Sequence, residues 1–192
     1  MREQLNRYFT TLTDLLRAAE VTDRGAKSMS LAEGCEWVRS AAHKAHVGGN
    51  KIVFVGNGGS AAIASHLAID FSNGGMRSLS LNDAAALTCL GNDLGYENVF
   101  SKQLDFHAQA GDLLIAISSS GRSPNILNAV KAARAHDCVV VTFSGFAEEN
   151  DLRRSGDVNF YVRSGEYGFV EVAHLALCHA MLDIDKGWGR TT

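Results

Sequence analysis

Lys51-Ile52-Val53-Phe54-Val55 breaks into Gly56-Asn57-Gly58-Gly59-Ser60 and continues as Ala61-Ala62-Ile63-Ala64-Ser65-His66-Leu67-Ala68-Ile69-Asp70. An apolar run that ends in glycines and restarts in small residues reads as a buried strand, a tight loop and a helix. Such a junction aims backbone N–H groups and the positive end of the helix dipole at one spot, which suits an anion. His66 and Asp70, four residues apart, share one helical face further in. The stretch therefore predicts a phosphate cradle with a metal site or an acid/base pair beside it.

The rest of the chain extends this pattern. Asp112–Ile117 is the cleanest buried strand, and it ends in Ser118-Ser119-Ser120-Gly121-Arg122-Ser123-Pro124. Ser123 before the single proline predicts an N-cap and a helix start, with the helix running to about Ala135. Short apolar runs at Ser78–Leu81, Cys138–Phe143 and Val158–Val162 predict three more strands. Helices are expected over Asp83–Leu90, Tyr96–Gln109 and Val170–Asp185, with Gly91-Asn92-Asp93-Leu94-Gly95 as a polar turn. Strands alternating with helices imply a parallel sheet covered on both faces. Ahead of it, Leu5, Tyr8, Phe9, Leu12, Leu15 and Leu16 recur at helical spacing, a stripe to be buried on its own domain or on a neighbouring subunit. Val21–Met29 is polar and reads as a linker, and Ser30-Leu31-Ala32-Glu33 has the capping-box pattern of a second helix.

The 192 residues, 46% apolar and 20% charged, suit one α/β domain over 1–192. Its N-terminal helices over 1–48 serve packing or oligomerisation, and its α/β core spans 51–185. A formal charge of −3 argues against a nucleic-acid binder. No run approaches the ~20 apolar residues of a membrane span, and Met1-Arg2-Glu3-Gln4-Leu5-Asn6 lacks the apolar region of a signal peptide. Cys35, Cys89, Cys138 and Cys178 contain no CxxC and read as reduced thiols of a cytoplasmic protein.

In an open parallel sheet, ligands sit at the carboxyl ends of the strands, where the glycine loop and the serine loop both lie. Hydroxyls with free backbone N–H groups make a neutral phosphate cradle. Gly56–Ala61 also fits the loose GxGxxG/A dinucleotide pattern, and Leu81-Asn82-Asp83 stands where that fingerprint wants an acid. The serine loop has no role in a dinucleotide site, so the sugar-phosphate reading ranks above it. On the last helix, Glu171 and His174 share a face and His179 follows one to two turns on. A carboxylate among Val170, Val172, Ala173, Leu175 and Leu177 is costly unless paired or bound to a metal. His66, Asp70, Glu171 and His179 make a plausible zinc set if the two helices converge. His43, His46, His107 and His136 carry no such signal.

Three ordered motifs, Gly56–Ala62, Asn92–Gln103 and Ile117–Ser123, make the chain resemble sugar-isomerase (SIS) domains of the phosphoheptose isomerase type over nearly its whole length. The resemblance implies a three-layer flavodoxin-like fold with a five-stranded parallel sheet, and a homotetramer with active sites at subunit interfaces. It implies that Ser118, Ser119, Ser120 and Ser123 hold the phosphate and that Asn57, Gly58, Gly59, Asn92 and Asp93 line the sugar. It also assigns His66, Asp70, Glu171 and His179 as metal and catalytic residues, with Asp70 and His179 as the acid/base pair. Two positions depart from the usual pattern: Asp70 replaces a glutamate and Glu171 a glutamine. The activity implied is aldose–ketose isomerisation of a phosphorylated sugar, sedoheptulose 7-phosphate first. The rival is a non-catalytic SIS protein that binds a sugar phosphate or a partner; relatives associating with the bacterial replication initiator lack the counterpart of His179.

Overall fold

The structure, a computed structural model, describes residues 1–189. Five strands run parallel: β3 (Ile52–Gly56), β4 (Ser78–Ser80), β5 (Leu113–Ser118), β6 (Val139–Ser144) and β7 (Val158–Tyr161). Two more enlarge the sheet to seven, in the order β2-β1-β7-β6-β5-β3-β4. These are β1 (Glu20–Asp23) and β2 (Ser28–Met29), a small antiparallel hairpin docked on β7. The expected linker is therefore an edge hairpin, and the five-strand count holds for the parallel part alone. Its polar residues hid it: of the two strands only Val21 is buried in the core, with Met29 packed against it, too few apolar residues to make an alternating pattern.

Among the described residues, seven α-helices accompany the sheet. These are α1 (Arg2–Arg17), α2 (Leu31–Val47), α3 (Gly59–Asn73), α4 (Ala84–Leu94), α5 (Val99–His107), α6 (Pro124–Ala135) and α7 (Tyr167–Asp185). Alternate residues of each central strand enter different layers, as the two-residue side-chain period dictates. Ile52, Phe54, Leu113, Ile115 and Ile117 pack against α2, α3 and α7, while Val53, Val55, Leu114 and Ala116 pack against α5 and α6. The capping box at Ser30 and Glu33 is made and opens α2, an arrangement that contributes about 1 kcal/mol. The polar turn expected at Gly91–Gly95 forms largely as the last turn of α4, and a 3-10 turn at Tyr96–Asn98 precedes α5.

No residue of α1 is buried. Leu15 and Leu16 reach the core and Tyr8 stacks on Phe169 at 4.5 Å, but Leu5, Tyr8 and Phe9 stay exposed. α7 is long and apolar enough to cross a membrane by composition. Here it is a core helix, with Val170, Ala173, Leu177, Cys178, Met181 and Leu182 packed in the α2–α3 layer.

Candidate active site

Strand order reverses beside β3: the chain steps to β4 on one side and returns to β5 on the other. The crevice above such a reversal is the ligand position of open α/β sheets. β3 and β5 pair up to Gly56 opposite Ile117, so the glycine and serine loops leave the sheet side by side. Gly58 turns the chain into α3 with φ +53°, a conformation that disfavours a Cβ. A pocket opens here, lined by Asn57, Gly58, Gly59, Ser60, Ser118, Ser119, Ser120, Ser123, Tyr167 and Glu171.

The pocket asks for an acceptor-rich ligand. Ser119 Oγ is buried and has no hydrogen-bond partner, and a native structure rarely leaves a buried hydroxyl unpaired without reason. Ser123 holds the N-cap position of α6 but its side chain makes no cap; its Oγ lies 3.2 Å from Ser118 Oγ instead. The hydroxyl that would have closed the helix end stays in the pocket.

His66, Asp70 and His179 come together on the outer side of α3 and α7. His66 Nε2 lies 3.1 Å from His179 Nε2 and 3.2 Å from Asp70 Oδ2, and His179 Nε2 lies 3.8 Å from that same oxygen. The shorter aspartate therefore reaches the imidazoles. These separations bracket the roughly 3.3 Å edge of a tetrahedron with 2.0–2.1 Å bonds, and two imidazoles with one carboxylate fit a divalent transition metal. Glu171 stands outside this group, its carboxylate crowding Gly59 at the first residue of α3. Gly59 beside Glu171 and His66 beside His179 mean that α3 and α7 run in the same direction. Along the seam where α3 packs on α7, the serine-pocket end and the imidazoles therefore lie about 10–12 Å apart, seven or eight residues of helical rise.

Comparisons with known proteins identify the family. A SIS domain model matches residues 7–145. The chain is 34% identical over 176 residues to the phosphoheptose isomerase of Bradyrhizobium sp. (strain ORS 278), covering 88% of each. The phosphoheptose isomerase of Neisseria gonorrhoeae superposes with a TM-score of 0.84 at 30% identity, over 96% of this chain and 98% of that one. That of Francisella tularensis gives 0.82 at 25% identity, over 97% and 98%. The chain belongs to the SIS-domain phosphoheptose isomerase family.

Other residues named for the SIS site fall elsewhere. Asn92 and Asp93 are exposed on α4, bonded to each other at 2.9 Å and outside the serine pocket. His174 does not share the exposure of Glu171. It is fully buried, its Nε2 3.1 Å from the Ser144 carbonyl, and burial pushes its imidazole down to about 4. His43 and His136 are engaged by Asp185 and Asp105. Residues not singled out from the sequence also line or brace this SIS pocket: Ser60, Tyr167 and the buried Asn125. An asparagine in the first turn of α6, between Pro124 and the apolar Ile126-Leu127, was the available signal.

Proposed function

We propose that the chain isomerises a phosphorylated sugar between ketose and aldose forms. Our first substrate is sedoheptulose 7-phosphate, giving D-glycero-D-manno-heptose 7-phosphate. The observation that carries this reading is the convergence of His66, Asp70 and His179 on the same two helices, α3 and α7, whose other ends, at Gly59 and Glu171, line the serine pocket. The phosphate lies among Ser118, Ser119, Ser120 and Ser123, and the sugar runs along the α3–α7 seam past Glu171. An extended chain of five carbon–carbon bonds plus a phosphate ester spans roughly 9 Å at ordinary bond lengths, comparable to that separation.

At the imidazole end, Asp70 and His179 form the acid/base pair. One takes the proton from the carbon beside the carbonyl, the C–H electrons become the enediol double bond, and the carbonyl π electrons move to oxygen, which takes a proton. The other hydroxyl then gives up its proton to become the new carbonyl as a proton is returned at the former carbonyl carbon. Each well-placed group of this kind contributes about 10²–10⁴ in rate. Asp70 Oδ2 faces both imidazoles, which leaves Oδ1 for proton transfer. Our reading also includes one zinc ion held by His66, Asp70 and His179, with Glu171 about two turns away on α7 and outside the set. Because the same lone pairs cannot hold the ion and move a proton at once, the ligand and acid/base roles of Asp70 and His179 alternate during turnover. When bound, such an ion polarises the carbonyl and the enediolate as a Lewis acid.

His66 is 52% exposed at the side chain and His179 34%, and Ile69 and Val172 lie uncovered on the same two helices. A second copy laid over the seam would exclude water from the reaction and cover those apolar groups. This supports a homotetramer with active sites at subunit interfaces. Cys35, Cys89, Cys138 and Cys178 are all free thiols, in keeping with a cytoplasmic setting.

The test combines metal analysis with turnover. We expect about one zinc per chain, conversion of sedoheptulose 7-phosphate, and loss of conversion on chelation. His179→Ala should lower the rate at least 100-fold and lower metal content, while leaving the fold intact. A metal-free protein that turns over, or a fully active His179→Ala, refutes the assignment.

A further inference from the structure

The glycine and serine loops can grip one phosphate only if their spacing is fixed. Sheet pairing ends at Gly56 opposite Ile117. Beyond it, among the described residues, the side-chain tie between the loops is a pair of amides. Asn57 Nδ2 donates to Asn125 Oδ1 at 2.9 Å, and Asn125 Nδ2 donates to Asn57 Oδ1 at 2.8 Å. Asn125 is 2% exposed, so these bonds face no competition from bulk water.

The orientation of the pair is determined. The Ile126 backbone N–H donates to Asn125 Oδ1 at 3.0 Å, which marks that atom as oxygen and so fixes Asn57 as well. The Tyr96 hydroxyl donates to Asn57 Oδ1 at 3.1 Å. Asn57 thus has its carbonyl occupied twice and one N–H engaged, leaving a single N–H for any ligand. It is a strut more than a free sugar-binding amide.

We propose that Asn125 is a positioning residue for the phosphate site: through Asn57 it holds the glycine loop against the serine loop at the separation one phosphate group fills. The proposal rests on the phosphate reading of the serine pocket. Asn125 touches no ligand itself. Its first-turn place on α6 ties the serine loop and helix start to the loop that opens α3. Tyr96 extends the tie to the segment that follows Asn92 and Asp93.

The experiment is a mutant cycle read by calorimetry with inorganic phosphate on the full chain: wild type, Asn57→Ala, Asn125→Ala and the double variant. Each single variant should weaken phosphate about tenfold, the scale of a lost buried hydrogen-bonded pair. The double variant should bind no more weakly than either single one, because each change already breaks the same strut. Turnover should show KM raised with a smaller change in kcat. Asn57→Ala leaves the buried Asn125 amide unpaired and should lower the melting temperature by a few degrees, yet the chain stays folded at the assay temperature, so a phosphate loss measured there is one that a merely structural role would not produce. If Asn125→Ala does not fold, the similarly shaped Asn125→Leu takes its place in the cycle. Folded Asn125 variants that bind phosphate within twofold of wild type, or single losses that multiply in the double variant, overturn the strut alone. Wild-type protein that binds no phosphate overturns the serine-pocket reading with it.

Discussion

Gly59→Ala should separate function from stability. Gly59 is the first residue of α3, and a Cβ there would fall among Glu171 Oε1, Oε2 and Cδ, at 2.6 Å from Oε1. Comfortable non-bonded contact is about 3.5 Å or more, so the carboxylate must retreat by roughly 1 Å. The obstacle is the far end of a flexible side chain, which yields at little expense. Alanine is moreover up to about 1 kcal/mol better than glycine within a helix. The melting temperature should therefore hold or rise by about 2–4 °C, the shift that 1 kcal/mol brings to a chain of this size. Displacing a group on the path between phosphate and imidazoles by 1 Å can lower the rate about 100-fold, so kcat/KM should fall between tenfold and 100-fold. Thermal melts and steady-state kinetics on the same preparation decide it. An activity within twofold of wild type would show that the position of Glu171 does not matter, and a melting temperature lowered by many degrees would show that the contact is structural.

Ser119→Ala removes a buried hydroxyl that bonds to nothing in the protein, so the fold should be as stable or slightly more so while phosphate binding weakens about tenfold; equilibrium unfolding paired with phosphate titration checks both. His174 supplies a pH dependence. Burial holds its folded imidazole down at about 4, and the Ser144 carbonyl only partly opposes this, whereas the unfolded residue titrates near 6.5. Below about pH 6.5 the unfolded chain alone takes up the proton, so stability falls as pH drops toward 4. Between pH 7.5 and 5 this amounts to about 2 kcal/mol. His174→Gln should remove that part of the slope in denaturant melts, and an unchanged slope would refute the buried neutral imidazole.

The centre of the parallel sheet was legible because β3 and β5 are apolar runs ending in glycine or serine and β6 is nearly so, while the short β4, Ser78-Leu79-Ser80, was marked by its place between two helices. α6 was legible to the residue, since Ser123-Pro124 opens it and nothing interrupts it before Ala135. The hairpin over Glu20–Met29 was not, because it is stabilised by pairing with β7, a partner more than a hundred residues away. The meeting of His66 and Asp70 with His179 followed from helix faces plus the assumption that α3 and α7 are neighbours. The place of Glu171 needed coordinates. Eight residues put it about 12 Å up α7 from His179, and which of its two neighbours the side chain joins depends on the bare Gly59 opposite. The amide strut was hidden for a related reason: Asn57 and Asn125 each look like a loop or helix residue until the two strand ends are set side by side.

The measurement that bears most directly on the whole account is an experimental structure of the His179→Ala variant soaked with sedoheptulose 7-phosphate. The account predicts phosphate density among Ser118, Ser119, Ser120 and Ser123, the sugar along the α3–α7 seam, and its carbonyl carbon beside Asp70. Phosphate bound away from those four serines, or a sugar directed away from His66 and Asp70, would contradict it.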